Sequence, residues 1–269
     1  MNPFEFEFMQ RAFVACAVIA AVAPLVGGFI VQRGQSLVGD GMGHVAFAGV
    51  GLAFLVGAEP VLGALAFTAL AGLLLVRMGR AGLAGDLAIA LIFYGGIAVG
   101  YLLSSRADAG QTRLVGLLFG SPLNLTWSEV GIIVALSATV VAVTVALYPR
   151  LVAMAFDEQA ARVAGVPTDR MTLALTLMVA LVVVGGMSSI GLLLISAMMV
   201  VPVAAAAQLA SSYKGALGLA SAIGAASAVL GLLAAHYRDY APGSAIVLVA
   251  IACYAVATAW RSLTRRAAA

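Results

Sequence analysis

Charge is what this chain has least of. Asp, Glu, Lys and Arg together make up 9% of its 269 residues, against roughly 25% in soluble domains, and lysine occurs once, as Lys214. The formal charge of +3 is dispersed, with no basic run longer than Arg265–Arg266, which argues against nucleic acid as a partner. There are two cysteines, Cys16 and Cys253, each inside an apolar run, and no C-x-x-C, so no disulfide framework is expected and both read as small core residues. No G-x-x-x-x-G-K-[ST] stretch is present. If ATP drives this protein, another polypeptide must bind it. No base precedes Arg11, and Glu5 and Glu7 give Met1–Gln10 the wrong charge for a cleaved signal peptide, so the first apolar run is expected to be retained. Nothing reads as a linker or low-complexity segment, and no stretch is polar enough to form a soluble domain of enzymatic size.

What fills the sequence instead is apolar residue, 64% of the total. A water-soluble fold has too little interior to hide that much apolar surface, so lipid is the expected solvent. The expected fold is an all-α integral membrane bundle. Runs between charges mark spans near 12–32, 37–57, 61–76, 87–103, 128–148, 171–187, 190–209, 215–235 and 243–260, about nine in all, with eight possible. The choice turns on residues 171–210, which carry no charge. As one helix they would reach roughly 60 Å, twice the hydrocarbon core, so a turn is expected near Gly185–Gly191.

The basic residues favour the longer count. With nine spans and the C-terminus inside, Arg33, Arg77, Arg80, Arg150, Arg162, Arg170, Lys214, Arg261, Arg265 and Arg266 fall on the cytoplasmic side, ten of the 14. Arg11, Arg106, Arg113 and Arg238 fall outside. One long span would make the split even, against the excess of Lys and Arg in cytoplasmic loops. The 30 glycines point to close helix packing. The whole chain, 1–269, reads as one transmembrane domain with a cytoplasmic loop at 149–170. Tyr101 and Trp127 are placed at the outer interface.

The most informative segment is S-L-V-G-D-G-M-G-H-V-A, from Ser36. If its helix starts near Arg33, His44 lies about 16 Å along it, near mid-bilayer. A carboxylate and an imidazole in that position are costly and point to function. Asp40 and His44 are four residues apart, on one helix face, where an oxygen and a nitrogen ligand can approach one cation such as zinc, manganese or iron. Gly39, Gly41 and Gly43 leave room beside them or admit another backbone. Two other readings stay open: a structural Asp–His hydrogen bond, and a proton relay.

The loop P-R-L-V-A-M-A-F-D-E-Q-A-A-R-V-A-G-V-P-T-D-R, 149–170, holds a further pattern. Asp157 can cap a short helix through Ala164, and Gly165 can end it in the left-handed conformation before Pro167. Such an element either docks into a partner's groove or is an ordinary solvated turn. His236 and Asp239 lie in the last outside turn, where they either help receive metal or are simply solvated. The adjacent Met198 and Met199 read as core packing.

These residues together resemble the permease subunits of zinc/manganese/iron ABC importers, and most closely the zinc-uptake branch. The hallmark G-D-x-x-x-H is matched by Gly39–His44. L-L-F-G-S-P-L at 117–123, D-E-Q-A-A-R-V-A-G-V at 157–166, G-L-L-L-I-S-A-M-M-V-V-P-V-A-A-A at 191–206 and Y-R-D-Y-A-P-G-S-A at 237–245 are similar to further family stretches in the same order. The resemblance implies the fold of the vitamin B12 and siderophore importer permeases. It implies a multi-pass subunit of the bacterial cytoplasmic membrane, with no enzyme activity and no permanent cofactor. The implied partners are a second permease copy, expected to be identical, cytoplasmic ATP-binding subunits and an extracellular or periplasmic metal-binding protein. It places Asp40 and His44 on the path of a transported ion, zinc by this reading, with manganese and iron accepted by the same ligands. It also gives 157–166 the coupling role, within which Asp157, Glu158, Ala161 and Gly165 are expected, from their chemistry and turn geometry, to serve the ATPase. Two rivals are a same-fold permease for an iron chelate or corrinoid, and a proton-driven transporter using Asp40–His44 as relay.

Overall fold

The structure is a computed structural model that describes residues 5–83, 85–106 and 116–267. The described chain is helical: α1 (Glu7–Gln32), α2 (Val38–Val56), α3 (Pro60–Arg80), α4 (Gly85–Ser104), a 3-10 turn (Pro122–Asn124), α5 (Trp127–Phe156), α6 (Glu158–Val163), α7 (Thr168–Met187), α8 (Leu192–Leu209), α9 (Tyr213–Arg238) and α10 (Pro242–Ala267). Among the described residues, nine of these helices are long and apolar enough to cross a membrane, every one except α6.

The uncharged stretch 171–210 divides as its length demands. The amide N–H groups of Ser189, Ile190 and Gly191 all turn back to the carbonyl of Gly186, at 3.2, 2.9 and 3.0 Å. Gly191 then takes a φ of 106°, and α8 starts. Gly185 and Gly186, expected in the turn, are instead the last buried turn of α7.

Several boundaries differ from the sequence reading: α1 starts at Glu7 rather than near 12, and α10 runs to Ala267 rather than 260. α3 and α4 outrun their apolar segments: Pro60 suits the first position of α3, and Arg77 and Arg80 in its last turn complement the negative end of the helix dipole. α5 does not stop before Pro149 but passes through it to Phe156. Neighbouring helices re-satisfy the backbone that proline frees in a membrane bundle. The expected loop over 149–170 therefore shrinks to α6 and its flanking residues.

α1, α2 and α7 form the buried centre, while α3 and α4 lie on α2 with most of their surface outward. Close approach depends on small residues. At the α2–α3 crossing, a Cβ on Gly49 would strike the carbonyl of Gly63, and one on Gly63 would strike that of Gly49. The connections after α1, α3, α5 and α8 lie at one end of the bundle, together with α6 and the end of α10. The connections after α2, α7 and α9, and the described ends of the one after α4, lie at the opposite end, where the exposed Tyr101 and Trp127 also sit.

Candidate functional site

A tight turn sets the start of α2 and therefore the depth of the Asp40–His44 pair. Gly34 ends α1 at φ +69°, its N–H bonded to Val31, while the N–H of Gln35 reaches the carbonyl of Ile30. This is the Schellman pattern that closes a helix C-terminus. α2 then begins at Val38 rather than near Arg33. Asp40 lies in its first turn, and His44 stands only about 9 Å along it. The pair is nearer the end that carries α6 than the mid-bilayer position expected.

Asp40 and His44 are both half-buried. Asp40 is not bonded to His44. Its Oδ1 accepts the Ser196 hydroxyl of α8 at 2.7 Å. The His44 ring stands edge-on to Phe93 of α4, with centroids 4.6 Å apart. The glycines around the pair do not leave it open. A Cβ on Gly43 would press on the Leu192 carbonyl at 3.1 Å, and one on Gly96 would come within 2.9 Å of the His44 backbone. They let α8 and α4 close on α2 and hold the two side chains between three helices. Among the described residues, no group of three or more His, Cys, Asp and Glu side chains converges on a point. The pair thus offers one oxygen-bearing and one nitrogen-bearing side chain, with no third such group beside them among the described residues. Met198 and Met199 are core residues, 0% and 1% exposed.

At the opposite end, His236 and Asp239 line one cavity of about 340 Å³ with Phe8, Leu123 and Tyr240. Asp239 caps α9 at a φ of 55°. The two residues share a space without being joined by a hydrogen bond.

α6 forms as its residues dictate. Asp157 Oδ1 accepts the N–H of Ala160 at 2.9 Å, capping a helix of six residues. Gly165 closes it at φ +83°, with open space where a Cβ would lie. The outward surface of α6 and its flanks is Phe156, 59% exposed, and Val163, 91% exposed, beside the charged Asp157 and Arg162. Ala161 is corrected here. It is 4% exposed and packs into the bundle, so its methyl anchors α6 rather than meeting a partner. Glu158, its side chain 41% exposed, is shared between two arginines. Its Oε2 accepts from Arg33 Nη2 at 2.7 Å and its Oε1 from Arg162 at 3.3 Å. Arg33, which in the sequence marks only topology, is buried here. Desolvation pulls its guanidinium below the usual pKa and the Glu158 carboxylate pulls it back up.

The comparisons agree with this architecture. Residues 5–261 match the profile of the ABC 3 transport family. The manganese import system permease protein ScaB of Streptococcus gordonii is 34% identical over 253 residues, covering 94% of this chain and 91% of that protein. A Haemophilus influenzae membrane protein named for iron transport is 28% identical and covers 99% and 98% of the two chains. Among solved structures, PsaBC from Streptococcus pneumoniae superposes with a TM-score of 0.85 at 32% identity, over 94% of this chain and 92% of that one. An inward-facing metal-chelate type ABC transporter gives 0.71 at 19% identity, over 93% and 85%, a likeness of fold alone. The expected leaning toward the zinc-uptake branch is corrected by these relatives, whose names carry manganese and iron.

Proposed function

Because the chain belongs to the ABC 3 transport family, we propose that it is the membrane-spanning permease of an ATP-driven importer for a divalent transition metal, manganese ahead of zinc. The family is one of transport, and the relatives are named as permease or membrane proteins of metal import and transport systems. The observation that carries the metal reading is the half-buried pair Asp40 and His44, one helical turn apart on α2, between α4 and α8. One carboxylate and one imidazole, without thiolate, suit manganese, iron and zinc. The relatives named for manganese favour that metal. The remaining ligands come from water or from the same pair on a second permease copy. An incomplete set in each chain fits a site that must release its ion.

The ion arrives from an extracellular binding protein at the end that holds His236 and Asp239 and leaves at the end that holds α6. α6 docks on a separate ATP-binding subunit through its exposed Phe156–Val163 surface, and rigid-body rocking of the spans alternates access. The C-terminus is cytoplasmic in this reading, because ten of the 14 basic residues then lie inside.

Reconstitution with the ATP-binding and metal-binding partners tests the proposal. Radiolabelled manganese should enter vesicles only with ATP, and faster than radiolabelled zinc supplied at the same concentration. Uptake that runs on a pH gradient without nucleotide would instead establish the proton-driven rival and end this reading.

A further inference from the structure

α6 packs against α5 and α7, the helices it joins. The ion-holding pair rides on α2. α7 itself packs on α2, and one side chain ties α6 directly to the turn that starts α2. Arg33 belongs to the turn between α1 and α2, seven residues before Asp40. Its side chain is 8% exposed. Nη2 donates to Glu158, the first residue of α6, at 2.7 Å, and Nη1 donates to Thr172 of α7 and to the thioether of Met154 of α5, each at 3.2 Å. The turn that bears Arg33 is held to α1 by its Schellman bonds and continues directly into α2, where Val38 bonds back to Gln35 and Gly41 to Leu37.

From this geometry we propose that the Arg33–Glu158 ion pair is the link through which α6 moves the start of α2, and with it Asp40 and His44. The proposal rests on the importer reading and adds the positioning residue within it. The physical reason is desolvation. If α6 withdrew alone, it would leave the Arg33 guanidinium buried beside Met154 and Thr172 without a carboxylate, and an uncompensated buried charge is strongly unfavourable. The turn is therefore drawn after Glu158. It has somewhere to go: a polar cavity of about 400 Å³, lined by Gln35, Arg80, Arg162 and Asp169 among others, adjoins the pair. Two further ion pairs lie at this end among the described residues: Arg162 with Glu158, within α6 itself, and Arg80 with Asp169, which joins α3 to α7 and is largely exposed, so neither ties α6 to α2.

The test uses the reconstituted transporter with its ATP-binding and metal-binding partners, and reads manganese taken up per ATP hydrolysed. Arg33→Glu and Glu158→Arg, singly, should lower that ratio about tenfold or more, within the range of allosteric couplings. The double exchange should recover most of it, as an interaction between the two side chains requires. A second arm covers variants that assemble poorly. In a Cys16→Ala, Cys253→Ala background, Arg33→Cys with Glu158→Cys should be poorly coupled, and a short bis-maleimide tether between the two positions should restore the ratio. A pair that only stabilises the fold would leave this ratio near normal in every variant that assembles. A normal ratio in Arg33→Glu, or a tether that restores nothing, overturns the proposal. Absence of ATP-dependent uptake in the unmutated complex would overturn the importer reading instead.

Discussion

Ser196 of α8 donates its hydroxyl to Asp40 of α2 at 2.7 Å. Among the described residues it is the one hydrogen bond that the carboxylate receives, and it crosses between two spans. A group that orients a metal ligand without touching the metal commonly matters 10–100-fold in affinity.

Ser196→Ala should therefore raise the manganese concentration for half-maximal uptake by about tenfold, with Asp40 still present but no longer oriented. Initial uptake rates against metal concentration measure this. An unchanged half-saturation point would remove Ser196 from the site.

Asp40→Ala and His44→Ala are the stronger pair. Each should abolish metal uptake while the protein still inserts and assembles, because neither side chain is part of the packed core. Normal manganese transport by both variants would end the metal-site assignment.

Gly165 and Gly191 separate two effects that a glycine can have. Both hold positive φ, but Gly165 faces open space, whereas a Cβ on Gly191 would run into the backbone of Phe119 and Gly120. Gly165→Val should cost about 1–2 kcal/mol of local strain and show as ATP hydrolysed without transport. Gly191→Ala adds a steric collision to that strain and should lower the detergent melting temperature of the whole permease. Equal melting temperatures for the two variants would contradict the close approach.

Arg80→Ala should do little. Its partner Asp169 is reached at 2.8 Å, but both side chains are well exposed, and such pairs contribute about 0–1 kcal/mol. A melting shift of many degrees would show that the exposed pair matters more than its solvation allows.

Much of the fold could be read from residues alone because bilayer thickness limits every helix. Residues 171–210 had to break somewhere, and they break before Gly191. The α6 cap was legible for a similar reason: Asp157 and Gly165 act on backbone atoms a few residues away. The sequence reading sets His44 deeper than the structure does, although Gly34 carries the signal. A glycine just past an apolar run is a helix stop, and it moves the start of α2 from Arg33 to Val38. Ser196 and Arg33 were missed for a different reason. Their partners are 156 and 125 residues distant, and nothing local in sequence marks such a pairing. Ala161 was misplaced because a six-residue helix gives too little periodicity to tell its inner face from its outer one.

α5 has 30 residues, about 45 Å of rod against an oily layer of about 30 Å. With Trp127 anchored at one interface, the far end emerges through the headgroups before the chain reverses into α6. In the proposed coupling, a partner therefore meets α6 at the outer edge of the headgroup layer, which with the oily core is about 40–45 Å thick. The last turns beyond Pro149 act as a stem that keeps the docking surface at a set height, whichever lipids surround the permease.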